Sequence, residues 1–154
     1  MTARRDVLTP IDRALAEARA AGARGEVPVG AVVTDADGQV LGAAGNEVEA
    51  RRDPSAHAEI LALRNAAERL GRKWLAGCTL TVTLEPCPMC AHAASLFRVA
   101  RVAFGAYDPK SGGVDHGARV FQASSCHHVP EVTGGHREAE CAALLREFFA
   151  GLRG

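Results

Sequence analysis

The sequence predicts an α/β fold, a three-layer α/β/α sandwich with helices on both faces of a central sheet. Two observations predict it. Short apolar or β-branched runs, such as Val29-Gly30-Ala31-Val32-Val33 and Leu80-Thr81-Val82-Thr83-Leu84, alternate with longer stretches whose apolar residues recur at helical spacing. Strands that alternate with helices give a largely parallel sheet covered on both sides. A third observation concerns size: 154 residues with 47% hydrophobic content suit one domain over 1–154 with a real core.

Residues 1–8 read as a loose leader. Thr9-Pro10 opens a helix with Ile11, Ala14, Leu15 and Ala18 on one face, ending at Gly22 or Gly25. Pro28 to Thr34 reads as a strand, Asp35-Ala36-Asp37-Gly38 as a turn and Gln39 to Ala44 as the return strand, which makes a hairpin. Asp53-Pro54-Ser55 precedes an apolar run (Ile60, Leu61, Leu63, Ala67, Leu70), so a helix is expected to begin near Ser55, with that residue as its cap. Gly71 to Gly77 is a connector, and Trp74, the only tryptophan, is read as a packing anchor. The strand Leu80–Leu84 runs directly into Pro88, the expected first residue of a helix that reaches about Phe97, and Val99 to Phe104 is the next strand. Tyr107 to Gly113 is a non-periodic surface loop, and Ala118, Val120 and Phe121 suit a short helix. Glu138 to Leu152 places Ala142, Leu145, Phe148 and Phe149 at helical spacing, which assigns most of that face to the core and leaves Arg146 and Arg153 outside.

Chemistry concentrates in two segments, His57-Ala58-Glu59 and Pro86-Cys87-Pro88-Met89-Cys90. They supply three metal-ligand side chains, His57, Cys87 and Cys90, and one carboxylate, Glu59. A structural zinc site takes four protein ligands, whereas a hydrolytic one takes three and leaves a position for water. Residues two apart on a helix do not share a face, so His57 and Glu59 meet one ion only if it lies across the helix N-terminus, with Glu59 beside the metal as a non-ligand. Cys87 and Cys90, three apart across the second helix start, both face the ion, where the positive helix end favours their thiolates. Zinc in such a site makes hydroxide available near neutral pH, and Glu59 is placed to move its proton. Either half alone says little, because a CxxC pair is more often a structural half-site or a redox pair. Jointly they form the signature of zinc nucleobase deaminases, which implies hydrolytic deamination of an amino-substituted heterocycle.

The chain resembles the tRNA-specific adenosine deaminases of bacteria, within the cytidine deaminase-like superfamily. Beyond the metal motif, the resemblance rests on Glu26-Val27-Pro28-Val29-Gly30-Ala31-Val32, Gly45-Asn46, His57-Ala58-Glu59-Ile60 and Thr83-Leu84-Glu85-Pro86-Cys87. It continues through Phe104-Gly105-Ala106, Asp108, Lys110 and the terminal Leu144-Leu145-Arg146-Glu147-Phe148-Phe149. It implies a mixed five-stranded sheet, one Zn2+ per subunit, a homodimer, and conversion of adenosine to inosine at the wobble position of a tRNA anticodon, with the nucleotide flipped out. It further implies that Asn46 hydrogen-bonds the purine, that the Ala58 N–H faces the substrate, and that Asp108, and less directly Lys110, contact RNA. The resemblance also implies that Phe149 stacks on a base and that Arg153 meets phosphate. From the residues alone, Asn46 reads first as a turn residue, and Phe149 is equally a core residue. Two departures stand out. His92 occupies a position where the family has a small residue, on a helix that packs against a second subunit in relatives, and its spacing from Cys90 points it away from the metal. The basic tail of some relatives is also missing.

Two other functions compete. A sister enzyme acting on a free nucleobase or nucleoside (guanine, cytosine or adenosine) would use the same motif, and a zinc-stabilised RNA-binding module without catalysis would leave Glu59 unexplained. Lys plus Arg and Asp plus Glu both number 18, and this zero net charge weighs against non-specific nucleic-acid binding. Five cysteines, an odd number, imply a reducing compartment, and with no long apolar span the expected location is the cytoplasm, away from membranes. Cys126-His127-His128 lacks a fourth ligand at zinc-like spacing and is read as local packing, with Cys78 and Cys141 as small buried hydrophobes. Glu85 is either a second acid near the metal or an acid that orders the loop before Pro86, and the second reading is preferred because Glu59 already fills the proton-transfer role.

Overall fold

The computed structural model describes residues 8–153, with Arg153 by its backbone alone. Residues 1–7 of the leader and the side chain of Arg153 therefore lie outside the described residues. Helix α1 (Pro10–Ala23) begins where Thr9 and Asp12 cap each other reciprocally, and Pro10 occupies the first helical position, where a missing N–H costs nothing. The hairpin β1 (Gly30–Thr34) and β2 (Val40–Gly45) closes on Asp35, whose Oδ1 accepts from the Asp37 and Gln39 amides at 2.9 Å each. One five-stranded sheet results, ordered β2-β1-β3-β4-β5. β3 (Thr79–Leu84) pairs antiparallel with β1 and parallel with β4 (Arg101–Ala106), and β4 pairs parallel with β5 (Glu131–Thr133).

Helices α1 and α5 (Glu138–Arg153) lie on one face of this sheet. On the other lie α3 (Ala58–Leu70) and α4 (Pro88–Leu96), over the larger apolar core. The three-layer sandwich is thus present. Two glycines let the helices settle onto the strands: a Cβ at Gly30 would run into the Ala14 carbonyl of α1, and one at Gly42 into the Ala62 carbonyl of α3. Leu63 of α3 is fully buried beneath this contact. Truncating such a leucine to alanine costs about 2–5 kcal/mol.

Several expectations need correction. α3 starts at Ala58, three residues after Ser55: Ser55 donates its N–H and hydroxyl to Asp53 Oδ1 (2.9 and 2.7 Å), and the first helical amide, that of Ala58, goes to another residue's side chain, Asn46 Oδ1. A short helix α2 (Val48–Arg51), which the sequence reading leaves unassigned, follows β2, and its first amides are held by a carboxylate distant in sequence, that of Glu26. β5 was not expected, since three residues are too few to carry a readable period. Trp74 is 43% exposed, with the Arg98 guanidinium 4.1 Å and Lys73 Nζ 4.7 Å from its ring centre; Leu75 beside it, fully buried, is the anchor. In α5 the core contacts come from Cys141, Ala142, Leu144 and Leu145, and the apolar face then leaves the core, so that Phe149 is 45% exposed.

Candidate metal centre and substrate pocket

His57 and Cys87 occupy the same position in two different helices, the N-cap of α3 and of α4, both with extended backbone. Neither side chain caps its own helix, so both are free to turn toward the space between the two N-termini. Cys90 joins them from the first turn of α4. His57 Nδ1 lies 3.6 Å from Cys87 Sγ and 3.5 Å from Cys90 Sγ, and the three ligand atoms lie within 4.8 Å of one another. Tetrahedral zinc with ordinary Zn–N and Zn–S bonds would separate an imidazole nitrogen from a thiolate by about 3.6 Å. The set therefore fits zinc, and no fourth His, Cys, Asp or Glu joins it among the described residues.

Electrostatics agree with this donor set. A hydrogen bond from Cys90, together with His57, holds the Cys87 thiol down to about 4 despite partial burial, whereas the Cys90 thiol is pushed up by that same bond and by burial. The hydrogen bond with Cys87 raises His57. One thiolate is already stabilised before any ion arrives, and two aligned helix N-termini favour the second. Glu59, in the first turn of α3 and only 4% exposed, has its carboxyl raised by burial.

His57, Glu59 and Cys87 line the floor of a cavity of about 610 Å³, with Cys90 buried behind them. The cavity brings together His57, Glu59, Cys87, Asn46, Asp108 and Phe149. Asn46 is fixed at three atoms. Its N–H donates to the Val29 carbonyl at 3.1 Å, its carbonyl accepts from Arg24 Nη2 at 3.3 Å, and its Oδ1 accepts the Ala58 N–H at 2.8 Å. The expected free Ala58 donor is thus already engaged: Asn46, from a loop twelve residues earlier, caps α3 in the place predicted for Ser55. Asp108 Oδ1 accepts from the Lys110 and Ser111 amides, so this carboxylate shapes its own loop, and Lys110 lies exposed away from the cavity lining. Phe148, Phe149 and Leu152 wall the cavity from the last turns of α5.

Glu26 also lines this cavity and escaped the sequence reading; it is buried, and its two oxygens accept from the Glu49 and Ala50 amides at 2.9 Å each. The only hint was an acid placed directly before an apolar strand. Glu85 orders a loop, as preferred, but the loop after β4 and not the one before Pro86. Burial pushes its carboxyl up, yet the His116 imidazole and the Asp108, Val114 and His116 amides outweigh burial and hold it below its ordinary value. Cys126 and His128 are packing residues as expected: the Cys126 thiol donates to Ser95 Oγ, and His128 Nε2 lies 2.7 Å from the Val99 carbonyl. Cys78 and Cys141 are buried. His92 faces away from the metal ligands, into a second cavity with Trp74, Leu96, Arg98, His127 and His128.

Comparison with known proteins agrees with this geometry. Residues 6–106 match the cytidine and deoxycytidylate deaminase zinc-binding region. The chain is 50% identical to the tRNA-specific adenosine deaminase of Agrobacterium fabrum over 139 residues, which cover 90% of this chain and 91% of that protein. A solved structure of a tRNA:A34 deaminase superposes with a TM-score of 0.86 at 48% identity, covering 88% of this chain and 98% of that one. Guanine deaminase from Nitrosomonas europaea superposes with a TM-score of 0.79 at 28% identity, over 95% and 87% of the two chains. The chain belongs to the zinc-dependent cytidine and deoxycytidylate deaminase family and, within it, to the tRNA-specific adenosine deaminases.

Proposed function

We propose that the protein converts adenosine to inosine at the wobble position of a tRNA anticodon, with zinc held by His57, Cys87 and Cys90 and protons moved by Glu59. The observation that carries this reading is a buried carboxylate, Glu59, beside a three-ligand cluster at the floor of a cavity large enough for a nucleotide base. Bound zinc supplies an acidified water as nucleophile at neutral pH. Glu59 accepts a proton from the water as its oxygen adds to C6 of the purine. It then delivers that proton to N1. Glu59 next takes the remaining hydroxyl proton from the C6 oxygen and passes it to the amino nitrogen, so that the C6–N bond breaks, ammonia leaves and the C6 oxygen remains as the carbonyl of inosine. Asn46 orients the base. With Oδ1 occupied by the Ala58 amide, its NH2 group is the part available to a purine acceptor.

The rim supports a polymeric substrate. Phe149, exposed above the cavity, offers a ring on which a neighbouring base can stack, and the Asp108 loop borders the same opening. Two such subunits would pair as a homodimer through the flank of α4, where Leu96 is 65% exposed beside Met89 and Trp74. Residues 1–154 are taken as one catalytic domain. The place of action is the cytoplasm, a reading supported by five unpaired cysteines and a tRNA substrate; no described helix is long and apolar enough to cross a membrane.

The test is inosine formation on an anticodon stem-loop with adenosine at the wobble position, run beside ammonia release from free adenosine, guanine and cytosine. Glu59→Ala is expected to lower the stem-loop rate by roughly 10²–10⁴-fold while zinc content stays at wild type. Ammonia from a free base with an untouched stem-loop would move the chain to the small-molecule deaminases. Full activity of Glu59→Ala would remove it from catalysis.

A further inference from the structure

Glu85 is 2% exposed, sits two residues before a metal ligand, and is not needed for proton transfer. Its two oxygens receive five donors. Oε1 accepts the Asp108 amide at 3.1 Å and lies 2.8 Å from His116 Nδ1; Oε2 accepts the Val114, Asp115 and His116 amides at 3.2, 3.0 and 3.0 Å. A carboxylate has about four lone-pair directions, so this one is saturated and has nothing left to offer a substrate or a proton in transit. It is therefore structural chemistry spent on one loop, residues 107–116, the same loop that brings Asp108 and Ser111 to the cavity.

That loop is also seated directly on the turn that carries Cys87. The Gly113 amide donates to the Pro86 carbonyl at 2.8 Å, and the Gly113 carbonyl accepts from Val120 at 2.8 Å. A side chain at Gly113 would strike the Cys87–Pro88 backbone, and one at Gly112 would strike the Glu85 carboxylate. Backbone lies on backbone here, with glycine as the only residue that fits. The His116 ring, tied to Oε1, packs edge-on against Tyr107, and Tyr107 against Phe104 of β4, which closes the far end of the loop.

We propose that Glu85 is a positioning residue that joins the metal-ligand turn to the 107–116 loop and holds that loop where the anticodon must meet it. The inference rests on the tRNA reading for its substrate but not for its structural half. Without the carboxylate, four backbone amides and one imidazole lose their common acceptor, and a rim displaced by about 1 Å can cost as much as 10²-fold in rate. Glu85→Gln preserves shape and places an NH2 group against N–H donors. The effect should fall on substrate engagement and spare the metal.

Two readouts test this on the full-length, zinc-loaded protein. In hydrogen exchange, the amides of Asp108, Val114, Asp115 and His116 should exchange at least about tenfold faster in Glu85→Gln, with zinc near one per chain by elemental assay. On the stem-loop, KM should rise by about tenfold with a smaller change in kcat. Gly113→Ala, which leaves the carboxylate intact and lifts the loop from the other side, should reproduce the KM rise, and it decides the matter should Glu85→Gln fail to fold. Unchanged exchange and KM in Glu85→Gln, or wild-type KM in Gly113→Ala, would overturn the proposal. Loss of zinc from Glu85→Gln with loop protection intact would make Glu85 a servant of the metal instead. A wild type inert on the stem-loop would sink the tRNA reading alone, because the exchange experiment reads the loop without turnover.

Discussion

At the floor of the cavity, His57 and Cys87 take the same N-cap position in α3 and α4, and Glu59 and Cys90 follow within one turn. At its rim, Asn46, Asp108 and Phe149 come from the end of a strand, a loop and the last turns of a helix. The floor is buried and its geometry follows from two short motifs, each placed by the strand or turn just before a helix. The rim is held from a distance: Glu26 supports α2, Glu85 the 107–116 loop, and the Ala58 amide fixes Asn46. Local sequence thus sets where chemistry occurs, and long-range hydrogen bonds set what can reach it. Mutations at the rim should change recognition and spare the metal.

Asn46 gives the largest such effect, because it belongs to both regions. Asn46→Ala removes the cap of α3, at a cost of about 1 kcal/mol in stability. It also removes the amide proposed to orient the base, so kcat/KM should fall by roughly 10–100-fold, the equivalent of about 1.4–2.7 kcal/mol. Asn46→Asp separates the two roles. It keeps the acceptor for the Ala58 amide but loses the NH2 donor, so thermal stability should stay near wild type while deamination falls as far as in the alanine variant. Activity retained in Asn46→Asp would sink the orienting role.

The same division explains what could be read in the chain beforehand. His57, Glu59, Cys87 and Cys90 were legible because a motif and the helix start that aims it lie within a few residues, and Pro88 marks one such start directly. The strands β1 to β4 were legible for the same reason, as apolar runs bounded by turns. Ser55 as a cap failed because Asn46, from another loop, supplies the acceptor for the first amide of α3. Trp74 failed because size and apolarity do not reveal that two cations cover its ring at the surface. Helix α2, Glu26 and the reach of Glu85 were illegible because each depends on a partner more than twenty residues away.

A second test sharpens the floor itself. Burial raises the Glu59 carboxyl above its ordinary 4.5, so the folded, zinc-stripped protein binds this proton more tightly than the unfolded chain does. The resulting stability is fully present below about pH 4.5 and is lost as pH rises through the folded value. Cys87 acts in the opposite sense, since its depressed thiol favours the folded state as pH rises from about 4. Subtracting the stability of Glu59→Gln from that of wild type at each pH, by denaturant unfolding, reads Glu59 together with the His57, Cys87 and Cys90 groups coupled to it. The variant should gain stability on the order of 1 kcal/mol relative to wild type near neutral pH and lose the advantage in acid. A difference independent of pH would mean that Glu59 carries its charge at no cost.

Phe149→Ala tests the rim at its outer edge. A stacked base is worth about 1–3 kcal/mol, and an exposed ring should sit toward the low end, so KM for the stem-loop should rise about fivefold to tenfold with zinc and kcat little changed. Core phenylalanines cost about 3–5 kcal/mol when truncated. A fall in unfolding free energy of that size, with unchanged KM, would return Phe149 to the core and remove it from the rim.

The smallest expected effect lies on the far flank of α4. His92 is two residues beyond Cys90, a rotation of roughly 200° about the helix axis, which turns it from the metal toward the cavity beside Trp74, Leu96 and Arg98. Nothing on that flank touches the ligand set, so His92→Ala should retain one zinc per chain and an unchanged stem-loop KM. Its only signature would be a shift of a few-fold in the self-association constant, measured by analytical ultracentrifugation, if that flank is where two subunits meet. Loss of zinc from His92→Ala would break the comparison outright, because it would make the floor depend on contacts across the helix and not on its two N-termini alone.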